Sequence, residues 1–201
     1  METLIMSDKS RITDDDIHCV EGTASRHTPV VVVERVLRPL TRSDLNDLCD
    51  ATDAAILAGG GFGWVRLPQR EVMERFWQGV MAMPMRMLLV ARLDGVIAGS
   101  LQLVRPAPNN EAQNFAVQLT NHFVAPWARG YGLARSLLQQ AEDLVKDEGF
   151  EVINLDVRAT QDAAMRLYES QGFQLIGVHP AYARVKGRLV EGRYYFKQLK
   201  N

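Results

Sequence analysis

The chain has 201 residues, 47% apolar and 23% charged, which suits a globular protein long enough to bury a core in one domain with room for a tail. Its formal net charge of −1 argues against a general grip on nucleic acid, and no run approaches the roughly 18 consecutive apolar residues of a membrane span. The opening METLIMSDKSRITDDDIH lacks the basic-then-apolar order of a signal peptide, and Cys19 and Cys49 sit in no metal-like spacing, so the expectation is a cytoplasmic protein with free thiols and no metal.

Residues 1–28 are polar and aperiodic, with the acidic run Asp14-Asp15-Asp16, and read as a flexible N-terminal tail before a single domain over 29–201. Val30–Leu37 is β-branched and reads as a strand. TRSDLNDLCDATDAAIL then repeats Leu45, Leu48, Ala51, Ala55 and Ile56 at helical spacing, with Thr41 or Ser43 as its cap. AGGGFGW ends that helix in a loop. Gln69–Val80 reads as a second helix with Val72, Met73, Phe76, Trp77 and Val80 on one side. Met87–Leu93 and Val96–Val104 flank Asp94-Gly95, a strong hairpin signal. RPAPNN is a loop, and Asn114–Val124 is a longer strand ended by Pro126.

Leu133–Glu148 is the best-patterned helix, with Leu133, Ala134, Leu137, Leu138, Ala141, Leu144 and Val145 in one stripe and Gly149 as its stop. FEVINLDVRA reads as a strand, Asp162–Gln171 as a short helix ended by Gly172, and FQLIGV and RYYFKQL as the last strands. A loop holding His179, Pro180 and Tyr182 is expected between them. The order β-α-α-β-β-β-α-β-α-β-β predicts an α/β (α+β) fold, a mixed sheet with helices on both faces.

The turn VAPWARGYGLARSLL is where chemistry enters. A helix leaves its first N–H groups without intrahelical partners and carries partial positive charge at that end. Gly130 and Gly132 have no Cβ to block an anion there, and Arg129 and Arg135 can fork onto phosphate oxygens. The pattern lacks the Gly-Lys-Ser/Thr of a Walker loop, and Arg135 stands where the dinucleotide fingerprint has its third glycine. Alone, the stretch reads as a pyrophosphate cradle or as a flexible turn. Downstream, Gln161, Ala164 and Tyr168 share one helix face, and their helix follows a strand expected to pair beside the one feeding the glycine turn.

Together the two segments resemble the GNAT superfamily of N-acetyltransferases. Its R/Q-x-x-G-x-G/A turn is matched from Arg129 through Gly130, Tyr131, Gly132 and Leu133 to Ala134. Its N-x-x-A-x-x-L-Y-x-x-x-G-F segment is matched from Gln161 to Phe173, with Gln161 in place of asparagine. The resemblance implies six to seven mostly antiparallel strands with a splayed central pair. It implies acetyl-CoA as cosubstrate, held by Phe123, Val124, Arg129–Arg135, Gln161, Ala164 and Tyr168, with the pantetheine arm along the backbone near Phe123 and Val124. The reaction implied is direct attack of a primary amine on the thioester, with the Val124 N–H meeting the oxyanion and Tyr168 protonating the departing thiolate.

For the base, His122 titrates near neutrality and lies in the strand feeding the site, with Asp156, Glu111 and a water chain as alternatives. The acceptor pocket is expected from GGGFGW and the His179–Tyr182 loop, with Phe62, Trp64 and Tyr182 shaping it. The expected partner is a small-molecule amine, such as a metabolite or antibiotic, with no nucleic acid or membrane partner, and a homodimer is compatible with the sequence. The competing readings are acetylation of a protein or aminoacyl-tRNA amine, and a CoA-binding module without catalysis.

Overall fold

A computed structural model describes residues 28–60 and 62–199. The expected tail, apart from Thr28, and Cys19 lie outside the described residues.

The elements are β1 (Val31–Arg35), α1 (Arg42–Leu57), α2 (Arg70–Ala82), β2 (Arg86–Leu93), β3 (Val96–Val104), β4 (Ala116–Val124), α3 (Leu133–Asp147), β5 (Val152–Arg158), α4 (Asp162–Ser170), β6 (Gln174–Val185) and β7 (Arg188–Gln198). Their order is the one the sequence predicts. Thr41 caps α1 by accepting from the Asp44 N–H at 3.1 Å. The seven strands form one sheet in the order β1-β2-β3-β4-β5-β7-β6, antiparallel except for β4 with β5.

Two apolar cores sandwich the sheet. Leu88, Val90, Ile97 and Phe123 face α1 and α2, packing with Leu48, Ala55, Met73 and Trp77. Met87, Leu89, Ala91, Val117, Leu119, Ile153, Leu155 and Val157 face α3 and α4, packing with Leu133, Leu137, Leu138 and Tyr168. This two-sided burial explains why Met87–Ala91 reads as a continuous apolar run rather than an alternating one.

Two features of the sheet place the site. The parallel pairing of β4 with β5 covers only Ala116–Leu119 against Val152–Leu155, so beyond that point the two strands separate. The β3–β4 register shifts between the Ser100–Phe123 and Gln102–Thr120 pairs, leaving Asn121 and His122 opposite Leu101 alone. This is a β-bulge, and Asn121 carries it with φ of 48°, a left-handed conformation that asparagine tolerates better than most residues.

The chain's end differs from expectation. The predicted loop at His179–Tyr182 is part of one long strand, β6, and β7 begins at Arg188 rather than Arg193. Pro180 is accommodated because β6 is the sheet's edge and its register with β7 slips between His179 and Ala183. A proline there removes no ladder hydrogen bond, so it interrupts the pattern without ending the strand.

Candidate active site

The cradle at the start of α3 is built as the residue types require. Gly130 and Gly132 have φ of 88° and 81°, and a Cβ at either would meet nothing within 4 Å. Both glycines are therefore demanded by backbone conformation, and the space in front of them is open. No side chain caps the helix, and its first turn holds no acidic residue. The first N–H groups of α3 thus face outward without a competing acceptor. Arg129, Tyr131 and Arg135 are exposed around them, while Leu133 is buried in the core beneath.

Val124 sits where the strands part. The Ala125 N–H donates to the Ala98 carbonyl at 2.8 Å, which makes Ala98–Ala125 a hydrogen-bonded pair. By the alternation of antiparallel ladders, Gly99–Val124 is then a non-bonded pair, and the Val124 N–H and C=O point away from β3 toward the gap left by β5. Phe123 is the opposite case. It pairs with Ser100 in the bonded register, so its backbone turns to β3 and is not offered to a pantetheine arm. Its ring packs edge-on against Phe62 at 4.8 Å. Of the two residues, Val124 alone therefore turns its backbone groups toward the gap, because only every second residue of a strand faces a given edge.

A cavity of about 440 Å³ opens where β4 and β5 separate, lined from both faces of the sheet. His122, Gln161, Ala164 and Tyr168 line it from the α3–α4 side. Phe62, Thr120, Asp156, Arg158 and Tyr182 also line it. Ile153, Leu155 and Val157 point toward α3 and α4, so Asp156 and Arg158, which alternate with them, point the other way.

Tyr168 is buried and packs against Phe173 and Tyr195. Burial raises its pKa above the usual phenol range, and the Asp156 charge adds to this, so it is firmly protonated at neutral pH. The His122 Nδ1 lies 3.2 Å from the Tyr168 hydroxyl and the Nε2 lies 3.0 Å from the Ala134 carbonyl. Burial lowers the His122 pKa to about 4, partly offset by the bond to Ala134.

Asp156 accepts from the Gln118 amide at 2.9 Å and from the Tyr182 hydroxyl. Burial first, and then the hydrogen bond to Asp156, raise the Tyr182 pKa. Gly192 makes this contact possible: a Cβ there would lie 2.1 Å from the Tyr182 ring. The Thr120 hydroxyl is buried at the same cavity without a hydrogen-bond partner among the described residues.

Gln161 lies at the mouth of α4, but its amide donates to the Gly59 carbonyl at 2.7 Å. Arg158 reaches the carbonyls of Gly60 and Phe62. Both side chains therefore hold the loop between α1 and α2. The Gln161 amide is thus engaged by that loop, while the residue still lines the cavity. Ala164 lines the cavity beside Tyr168. Of the expected pocket residues, Phe62 and Tyr182 line it, whereas Trp64 packs on Phe76 at 5.0 Å. His179 is exposed and accepts from the Ala181 N–H at 3.1 Å, and Glu111 is exposed outside the cavity lining.

Sequence reasoning missed Arg158, Thr120 and the bulge at Asn121. The alternation of Asp156 with Arg158 in LDVRA was the available signal for Arg158. Nothing local announces the bulge.

Comparison with known proteins gives a consistent set of likenesses. Residues 55–173 match the model of the acetyltransferase (GNAT) family. An uncharacterised N-acetyltransferase of Azospirillum brasilense is 61% identical over 131 residues, covering 65% of this chain and 77% of that protein. The N-alpha-acetyltransferase RimI of Mycobacterium tuberculosis is 34% identical over 110 residues, covering 53% of this chain and 64% of that one. Among solved structures, yncA of Salmonella typhimurium with its cofactor acetyl-CoA superimposes with a TM-score of 0.68 at 19% identity, over 85% of this chain and 95% of that one. A ribosomal-protein-alanine N-acetyltransferase of Brucella melitensis gives 0.69 at 23% identity, over 84% and 99%.

Proposed function

The chain belongs to the GNAT acetyltransferase family and is an acetyl-CoA-dependent N-acetyltransferase; on that premise we propose that its acceptor is the primary amine of a small molecule bound in the cavity between β4 and β5. The observation that carries the proposal is one cavity lined by a protonated phenol, Tyr168, and by a carboxylate, Asp156, from opposite faces of the sheet.

The residues present fit acetyl-CoA. The uncapped first turn of α3, with Arg129 and Arg135 beside it, suits the pyrophosphate, and the outward Val124 N–H suits the thioester end. Acetyl-CoA supplies the thioester, whose acetyl carbon passes to the amine nitrogen as the carbon–sulfur bond breaks. The Val124 N–H donates to the carbonyl oxygen as that oxygen gains charge. Tyr168 gives its hydroxyl proton to the leaving sulfur and regains one from solvent. Asp156 anchors the ammonium form of the acceptor and receives the first of the two protons that nitrogen loses, directly or through one water, and the second passes to solvent as the carbon–nitrogen bond forms. Thr120 offers the acceptor a hydroxyl that otherwise has no partner. Arg158 and Gln161 hold the loop that brings Phe62 to the cavity.

A second reading is the α-amine of a protein N-terminus, favoured by the 34% identity to RimI. The test is CoA release from acetyl-CoA with two panels side by side, small primary amines and short peptides with free N-termini. Turnover of small amines supports the proposal. Turnover of peptides alone replaces it with the second reading, and release with neither panel leaves a CoA-binding module without catalysis.

A further inference from the structure

The hydrogen bonds of His122 fix its tautomer. The Ala134 carbonyl can only accept, so the proton between it and the ring belongs to Nε2. A neutral imidazole protonated on Nε2 has a bare Nδ1, which can only accept. The group facing it at 3.2 Å is the Tyr168 hydroxyl, which must therefore donate. The chain of bonds runs in one direction, from the α4 phenol through the β4 imidazole to a carbonyl in the first turn of α3. Both ring nitrogens are occupied, and His122 forms no ion pair with a carboxylate among the described residues; Asp156, which lines the same cavity, is bonded to Gln118 and Tyr182 instead.

We propose that His122 is the positioning residue of Tyr168: before reaction its Nδ1 accepts the phenol O–H and holds that oxygen in place, its Nε2–H ties the phenol to the first turn of α3, and as the thiolate forms the O–H turns from Nδ1 to the sulfur, so that His122 itself neither takes nor gives a proton. This reverses the base role expected from its place in the strand, and it rests on the assignment of Tyr168 as the acid. A general base needs a free lone pair aimed at the incoming amine, and His122 has none: one nitrogen is protonated and the other is spent on Tyr168. The bond to Ala134 has a second consequence. Ala134 lies in the same turn whose N–H groups fit the pyrophosphate, so a displacement of that turn is transmitted to the phenol through one ring. The burial that keeps the imidazole neutral across the working range agrees with this role.

The test uses the full chain, labelled with 15N, and reads the His122 ring nitrogens, identified by their loss in a His122→Gln spectrum. From about pH 5.5 to 8.5 the expected result is one neutral tautomer with its proton on Nε2 and no titration. A proton on Nδ1, or a titration midpoint near neutrality, overturns the proposal. Tyr168→Phe is expected to shift the Nδ1 resonance, because its donor is gone, and an unmoved resonance also overturns it.

Kinetics give a second measurement. Glutamine can donate to Ala134 and accept from Tyr168 without titrating, so His122→Gln is expected to keep kcat within about threefold, while His122→Ala loses on the order of tenfold with little change in the KM for acetyl-CoA. A glutamine variant as slow as the alanine one, with the acid limb of the pH–rate profile abolished, identifies a base and overturns the proposal. Failure of Tyr168→Phe to slow turnover would sink the acid assignment by itself, and the ring spectrum would still decide the tautomer.

Discussion

Tyr168 and Asp156 line one cavity from opposite faces of the sheet, and the separation of β4 from β5 is what lets them share it. An acid and a carboxylate on the same face would compete for one approach. Here the phenol and the carboxylate are divided by the sheet itself.

Removing the phenol hydroxyl is the most direct test of that division. Tyr168→Phe keeps the ring packed against Phe173 and Tyr195, so folding and acetyl-CoA binding are expected to hold. The loss falls on kcat, on the order of 10²-fold, read by CoA release at saturating acetyl-CoA.

Asp156→Asn keeps the bond from Gln118 available and removes the charge. The expected effect is a drop of about tenfold or more in kcat/KM for the amine, read by steady-state turnover. Part of the loss returns as pH rises, because solvent then supplies the free amine that Asp156 otherwise helps to form.

Gly192→Ala tests the seat of Tyr182. The new Cβ would meet the ring at 2.1 Å, so the ring must leave β7 and with it the Asp156 oxygen. A thermal melt is expected to fall by the equivalent of about 1–3 kcal/mol, the usual cost of overpacking, and the KM for the amine to rise.

Gly132→Ala strains a φ of 81° at the start of α3. A non-glycine residue in the left-handed region costs about 1–2 kcal/mol. Acetyl-CoA affinity is expected to weaken as well, because the first turn must shift to relieve that strain; calorimetric titration reads the binding and a denaturant melt the stability.

The partly buried His122 also gives stability a pH dependence. Its folded pKa, about 4, lies below the ordinary value of 6.5, so between those limits the unfolded chain binds more protons. Stability from this group is full above about pH 6.5 and falls as pH drops toward 4, by up to roughly 3 kcal/mol. His122→Gln is expected to flatten that part of a stability profile measured in urea across the acid range.

The order of elements was legible because each carries a strong local signal. Leu133–Val145 holds a clean helical stripe, and Asp94-Gly95 marks its hairpin without ambiguity. The cradle was legible for the same reason, since Gly130 and Gly132 are demanded by backbone geometry over a few residues. The end of the sheet was not. Pro180 reads as a break, and only its place opposite a register slip on an edge strand makes it harmless. The bond from Gln161 to the Gly59 carbonyl was not legible either, because its partner lies on another loop about a hundred residues away. His122 looked like a base because sequence reveals the residue type and not its two partners, which come from α4 and from α3.

The left-handed Asn121 divides β4 into two reading frames. Val117 and Leu119 face α3, and a uniform strand would send Phe123 there too and turn His122 to the far side. The inserted residue exchanges them, so the imidazole meets Tyr168 and the benzyl ring meets Phe62. A regular β4 of the same length, without the bulge, would keep every apolar residue of the strand and trade the two rings' addresses, whereas deleting Asn121 would leave both rings where they are. The sheet and the chemistry are thus set separately, and the second hangs on one left-handed residue in a single strand.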